Sequence, residues 1–137
     1  MSEPISLAVN GTLREGELLA LWQAAWGQPL AAGYDQVLAR SLCHITARSG
    51  GRLVGFVNVA TDGGVHAFIL DTTVHPEARR QGIGSALVRA ATEAARAQGA
   101  HWLHVDFEPQ LAGFYRGCGF RPTSAGLIDL TRSGTNT

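Results

Sequence analysis

The segment that most restricts how this chain can fold is a strand, a glycine loop and a helix in immediate succession. Residues 65–74 form a long β-type apolar run, and His75-Pro76 closes it. Arg79-Arg80-Gln81-Gly82-Ile83-Gly84 follows as a loop. Residues 85–98 then place Leu87, Val88, Ala91, Ala94 and Ala95 on one side of a helix that Gly99 ends. Backbone N–H groups at a helix start have no intrahelical acceptor and collect into a nest for an anion. Glycine at 82 and 84 lets a phosphate approach that backbone, and Arg79 and Arg80 add charge-assisted contacts.

Two familiar nucleotide loops do not fit. A Walker A loop needs Gly-Lys-Ser/Thr, and the chain contains no lysine. A dinucleotide fingerprint needs a third glycine, where this chain has Leu87 and Val88.

Around this segment the sequence predicts one α/β domain with a mixed sheet over residues 1–131 and a frayed polar tail over 132–137. Residues 5–9 alternate as a strand and Asn10-Gly11 turns the chain. Thr12 and Glu15 have capping-box spacing ahead of a helix carrying Leu18, Leu19, Trp22, Ala25 and Trp26, with Gly27 beyond its end. A weaker helix covers 34–42. Strands at 43–48 and 53–60 flank a hairpin turn, and 102–107 is a further strand. Alternation on that last strand sets Leu103, Val105 and Phe107 against Trp102, His104 and Asp106. Pro109 suits the first turn of a short helix that runs to about Cys118, with Gly119 ending it. Residues 120–123 and 127–130 complete the order as short closing strands.

Composition narrows the class of function. With 11 basic and 11 acidic residues the formal charge is zero, which argues against a nucleic-acid binder. No stretch approaches the roughly 20 apolar residues of a membrane span, and the first residues lack signal-peptide character. Cys43 and Cys118 form no CxxC and read as free thiols of a cytoplasmic protein. His101 and His104 face opposite ways on a strand, and no ligand spacing suggests a metal.

The run from Val74 to Leu87 resembles the acetyl-CoA signature of the GNAT superfamily of N-acetyltransferases, with its core Gln/Arg-x-x-Gly-x-Gly/Ala. Phe114-Tyr115-Arg116-Gly117-Cys118-Gly119-Phe120 resembles the second signature, aromatic-Tyr-x-x-x-Gly-Phe, in the family's order. The resemblance covers nearly the whole chain. It implies the acyl-CoA N-acyltransferase fold: about seven strands and four helices, with the fourth and fifth strands splayed apart. It further implies acetyl-CoA as co-substrate, with the pyrophosphate on Arg79, Arg80, Gln81, Gly82, Ile83, Gly84 and Ser85. The pantetheine arm would pair with backbone at Thr72, Thr73 and Val74, and one N–H there would serve the oxyanion.

Tyr115 is similar to the family's tyrosine that protonates the departing thiolate, a task a phenol can perform at neutral pH. The base stays open among Asp71, Glu108, His66, Asp106 and His104, with Asp71 and Glu108 singled out. Where many relatives carry Asn, this chain has Glu108, a carboxylate able to attract a cationic amine or to cap the helix after it. Trp22, Trp26 and Tyr34 occupy the region where relatives build acceptor walls, although helical spacing also suits them to the core. The expected activity is direct transfer of acetyl to a small-molecule or peptide amine within a ternary complex. A homodimer is compatible with such a fold. The competing expectations are an acyl-CoA-binding regulatory module without catalysis and an interaction protein that keeps only the fold.

Overall fold

A computed structural model describes residues 3–132. They form two compact units, one ending at Val105 and the other beginning at Asp106.

The first unit is built on a five-stranded sheet whose spatial order follows the chain: β1 (Ile5–Val9), β2 (Cys43–Ser49), β3 (Arg52–Thr61), β4 (His66–Val74) and β5 (Trp102–His104). The first four strands are antiparallel neighbours, and β5 lies parallel to β4. A parallel pair needs a crossover, which here is the helix α3 (Ile83–Ala97). Ile83, Leu87, Val88, Ala91 and Ala95 of α3 are buried, as are Ile45, Val57, Val59 and Ile69 of the sheet.

Gly55 of β3 permits this close packing. A Cβ there would stand 3.0 Å from both Ile83 Cγ2 and Leu87 Cδ1, and 3.1 Å from Ala47 Cβ. Two short helices, α1 (Glu17–Trp26) and α2 (Tyr34–Arg40), precede the sheet's central strands. Leu18 and Leu21 of α1 form a second core cluster with Leu53 and Phe56 of β3, against which Tyr34 and Leu38 of α2 pack. Strand β3 is therefore apolar on both faces and buried along most of its length.

The start of α1 differs from the capping-box expectation. The helix begins at Glu17 behind Gly16, which is left-handed at φ 81°. Glu17, rather than Glu15, accepts the backbone N–H of Arg14, at 2.7 Å. Its carboxylate also takes two hydrogen bonds of 2.7 Å from Arg48 of β2. Arg48 further donates to the carbonyls of Thr12 and Gly51, so one guanidinium ties the α1 entry to the β2–β3 turn. At the other end Gly27 adopts φ 69° and its N–H caps Gln23, as its place in the sequence predicts.

Strand β4 carries a bulge. Asn58 pairs with Leu70 and Phe56 with Thr73, so Val57 alone faces the two residues Asp71 and Thr72. Asp71 takes the extra turn with φ 59°. Period-two alternation across Leu70, Asp71 and Thr72 is interrupted at that point.

The second unit holds a 3-10 turn at Pro109–Leu111 and the short helix α4 (Ala112–Gly117), with Gly119 left-handed behind it at φ 103°. Two sequence expectations fail here. Regular β5 stops at His104 instead of 107, and residues 120–123 and 127–130 form no ladder. The sheet thus has five strands among the described residues rather than about seven. A strand needs a partner edge as well as β-prone residues, and Leu127, Ile128 and Leu130 stand 85%, 75% and 89% exposed. Most of the predicted polar tail lies outside the described residues.

Candidate acyl-CoA site

The site grows from the place where β4 and β5 part. They pair through His66 with Trp102, Ala67 with Leu103 and Phe68 with His104, and there β5 ends. From Ile69 to Val74 the edge of β4 on that side has no strand partner among the described residues. The N–H of His75 is spent on the Val54 carbonyl of β3 at 2.8 Å. The two-residue alternation of an antiparallel strand therefore turns the N–H of Val74 toward the open edge. Beside it, the hydroxyl of Thr72 is buried and has no hydrogen-bond partner among the described residues. An unsatisfied buried hydroxyl costs about 1–3 kcal/mol. A chain of amides lying along β4 is the kind of partner these groups suit.

Past β4, His75 accepts the N–H of Glu77 and a 3-10 turn at Pro76–Ala78 leads into the glycine loop. Arg80 is left-handed at φ 66° and Gly82 at φ 76°, where it caps α3. Ala86 is the first residue to use a helical acceptor, the Gly82 carbonyl at 3.0 Å. The N–H groups of Ile83, Gly84 and Ser85 precede it and have no intrahelical acceptor. Ile83 itself points inward and is buried, which anchors the loop to the α3 core. Arg79, Arg80 and Gln81 are exposed. Donors, dipole and guanidinium groups of one sign meet at this corner, a fit for a diphosphate. The predicted cofactor residues from Thr72 to Ser85 thus occupy one continuous path, β4 followed by the loop and the first turn of α3.

Sequence patterns missed a second arrangement, on the bulge. The Tyr34 hydroxyl of α2 donates to Asp71 Oδ2 at 2.7 Å. The Trp26 indole of α1 donates to Thr73 Oγ1 at 3.2 Å, and that hydroxyl donates to the Asp71 carbonyl at 2.9 Å. The Trp22 ring contacts both, with centroids 6.3 Å from Trp26 and 5.9 Å from Tyr34. Burial, and then the Asp71 carboxylate, push the Tyr34 phenol well above its ordinary pKa, so it remains a donor. Trp26 does not fill the core, being 51% exposed, whereas Trp22 and Tyr34 are half-buried and Tyr34 packs against the Phe56 cluster.

The histidines regroup as well. His104 leaves His101 aside and meets His66, with Nε2 and Nδ1 2.7 Å apart, while Phe68 stacks on its ring at 4.7 Å. The only earlier sign of this pairing would have been the β4–β5 register. Among the described residues no group of three or more His, Cys, Asp or Glu side chains is placed to hold a metal ion.

The remaining predicted residues belong to the second unit. Tyr115 is buried in an aromatic nest, stacked on Phe107 at 4.8 Å with Phe114 and Phe120 edge-on. Glu108 is exposed and precedes the 3-10 turn; its carbonyl accepts from Leu111 at 2.9 Å, and its side chain makes no capping bond. Asp106 is exposed too. Both cysteines are free, with burial raising the Cys43 thiol pKa.

Comparison with known proteins places these features in a family. Solved structures share the architecture. A GNAT family acetyltransferase of Streptococcus pneumoniae superposes with a TM-score of 0.77 at 27% identity, over 93% of this chain and 99% of its own. A Trypanosoma brucei acetyltransferase gives 0.74 at 26% identity, over 93% and 100%. A Bacillus subtilis acetyltransferase solved in complex with CoA shares the fold, with a TM-score of 0.70 at 24% identity over 90% and 79%. Among curated proteins, the mycothiol acetyltransferase of Mycolicibacterium vanbaalenii is 39% identical over 69 residues, 50% of this chain and 23% of the relative. That of Mycolicibacterium gilvum is 36% identical over 113 residues, 76% of this chain and 36% of the relative. The chain therefore spans only about a quarter to a third of the curated relatives' length. The family model described as Acetyltransferase (GNAT) family matches residues 13–120. With that match over most of its length, this chain belongs to the GNAT family of acyl-CoA-dependent acetyltransferases.

Proposed function

We propose that the protein is an N-acetyltransferase that moves the acetyl group of acetyl-CoA to a primary amine by direct attack, acting as one domain over residues 1–131. The observation that carries this reading is the continuous path from the open β4 edge to the α3 N-terminus. On this reading the pantetheine arm would lie along Thr72, Thr73 and Val74, and the diphosphate would sit on Arg79, Arg80, Gln81, Gly82, Ile83, Gly84 and Ser85; the open edge at Val74, the unpartnered Thr72 hydroxyl and the exposed start of α3 support it.

The amine nitrogen attacks the thioester carbon, and an N–H of the β4 edge stabilises the oxygen as it gains charge. The C–S bond breaks and the thiolate takes the proton of Tyr115. An acidic side chain, Asp71 or Glu108, receives the proton lost by the nitrogen. The ordinary pKa of a thiol, about 8.5, makes the thiolate a fair leaving group, so the acid accelerates the step without being indispensable. The mycothiol acetyltransferase relatives make a mycothiol-related amine the first acceptor to try.

Two measurements test this: calorimetric binding of CoA, and thiol release from acetyl-CoA across a panel of primary amines. Binding with turnover on at least one amine is expected. Binding with silence across a broad panel would make the protein an acyl-CoA-binding module. Failure to bind any acyl-CoA would overturn the reading altogether.

A further inference from the structure

We propose that the Asp71 carboxylate, presented by the β4 bulge and steadied by Tyr34, is the receptor for a protonated amine carried on an apolar or aromatic body. The inference rests on the acetyltransferase reading only for its role in the reaction, since it makes this amine the acceptor's.

Four observations converge. Asp71 is exposed, and no arginine or histidine lies within salt-bridge distance of it among the described residues. One of its oxygens, Oδ2, accepts the Tyr34 hydroxyl at 2.7 Å, which leaves Oδ1 for a second donor. The backbone beneath it is held left-handed by a local chain of bonds: Trp26 to Thr73, and Thr73 to the Asp71 carbonyl. Aspartate is among the few residues that tolerate this conformation. Finally, Trp22, Trp26 and Tyr34 form a contiguous aromatic surface whose two outer members end on the bulge. A carboxylate beside aromatic faces recognises an alkylammonium, by charge at the head and by ring quadrupole and apolar contact along the body. An anionic acceptor would meet repulsion from Asp71 and find no cation at the bulge.

Tyr34 is in this account a positioning residue, because it acts through Asp71. The substitution Asp71→Asn isolates the charge. Asparagine tolerates a left-handed backbone and its oxygen can accept the same Tyr34 bond.

Phenethylammonium and its neutral analogue 2-phenylethanol serve as probes, with tryptophan fluorescence of the full chain reporting binding at pH 7 and circular dichroism confirming the fold. Wild type should bind phenethylammonium in clear preference to 2-phenylethanol. Asp71→Asn should weaken the ammonium by roughly tenfold while leaving the alcohol unchanged, as expected for losing a hydrogen bond to a charged group. Tyr34→Phe should weaken it by a smaller factor and so provides a second arm if the asparagine variant folds poorly. Equal affinity for both probes, equal affinity of wild type and Asp71→Asn, or no binding to wild type would each overturn the inference. Because this readout needs no turnover, ammonium binding without thiol release would uphold this site and count against the acetyltransferase reading alone.

Discussion

Removing the charge of Glu17 should make the protein's stability less sensitive to acid. Glu17 opens α1, the helix that carries Trp22 and Trp26, and its carboxylate receives both terminal nitrogens of Arg48 at 2.7 Å. Both side chains are 19% exposed. The hydrogen bonds from Arg48, ahead of the opposing cost of burial, lower the Glu17 pKa from 4.5 to about 2. A carboxylate depressed in this way stabilises the fold fully above its unfolded value and loses that contribution as pH falls toward the folded one. The ceiling on its contribution at neutral pH is about 3 kcal/mol, and about 1.4 kcal/mol of this is lost between pH 7 and pH 3.5. Other acidic groups titrate over the same range, so the informative quantity is the stability gap between wild type and Glu17→Gln. Urea unfolding followed by tryptophan fluorescence should show wild type more stable at pH 7, with the gap narrower by about 1.4 kcal/mol at pH 3.5. A gap that is the same at both values would refute the ion pair as the source of the shift.

Other perturbations address the site and its scaffold. Tyr115→Phe should lower acetyl transfer by roughly a hundredfold, as loss of a general acid does, while calorimetry finds CoA affinity largely intact; unchanged turnover would remove Tyr115 from the mechanism. Leu87→Ala, at a fully buried position of α3 against Gly55, should cost about 2–5 kcal/mol in urea unfolding. Gly82→Ala meets no protein atom within 4 Å but must hold φ 76°, so it should destabilise by about 1–2 kcal/mol and weaken CoA binding. Unaltered stability and affinity would show that the loop does not depend on that backbone conformation.

The parts legible from sequence are those that depend on neighbours along the chain. The α3 stripe, the glycine loop and the Gly27 cap follow from spacing and backbone preference within a few residues, and all three recur in the structure. Tyr34 and Asp71 stand 37 residues apart, and His66 and His104 stand 38 apart. Each meeting depends on register or helix placement, which no local pattern encodes. The bulge is hidden for the same reason, because period-two alternation assumes one residue facing one, and β3 supplies only Val57 against Asp71 and Thr72. The failure at 120–130 is of another kind. The sequence predicts closing strands there, but pairing is a property of two segments, and β-prone residues in one do not supply the other.

The distribution of unfavourable features along β4 is itself an argument about function. Through Phe68 the strand has ordinary pairing on both edges and a face packed against α3. The next few residues gather a left-handed aspartate, a bulge, an unpartnered buried hydroxyl at Thr72 and an open edge at Val74. Residues held in sparsely populated backbone regions cost of order 1–3 kcal/mol each, and the orphaned hydroxyl adds a comparable amount. The bonds from Tyr34 and Trp26 offset part of this, and they come from helices whose own packing rests on Leu18, Leu21 and Phe56. Such costs persist where the surroundings over-determine the geometry and where the geometry is used. Their confinement to the stretch between the aromatic cluster and the glycine loop supports the proposed reaction, in which the amine would approach from the aromatic side, the acyl carrier along the open edge, and the two would meet at the bulge.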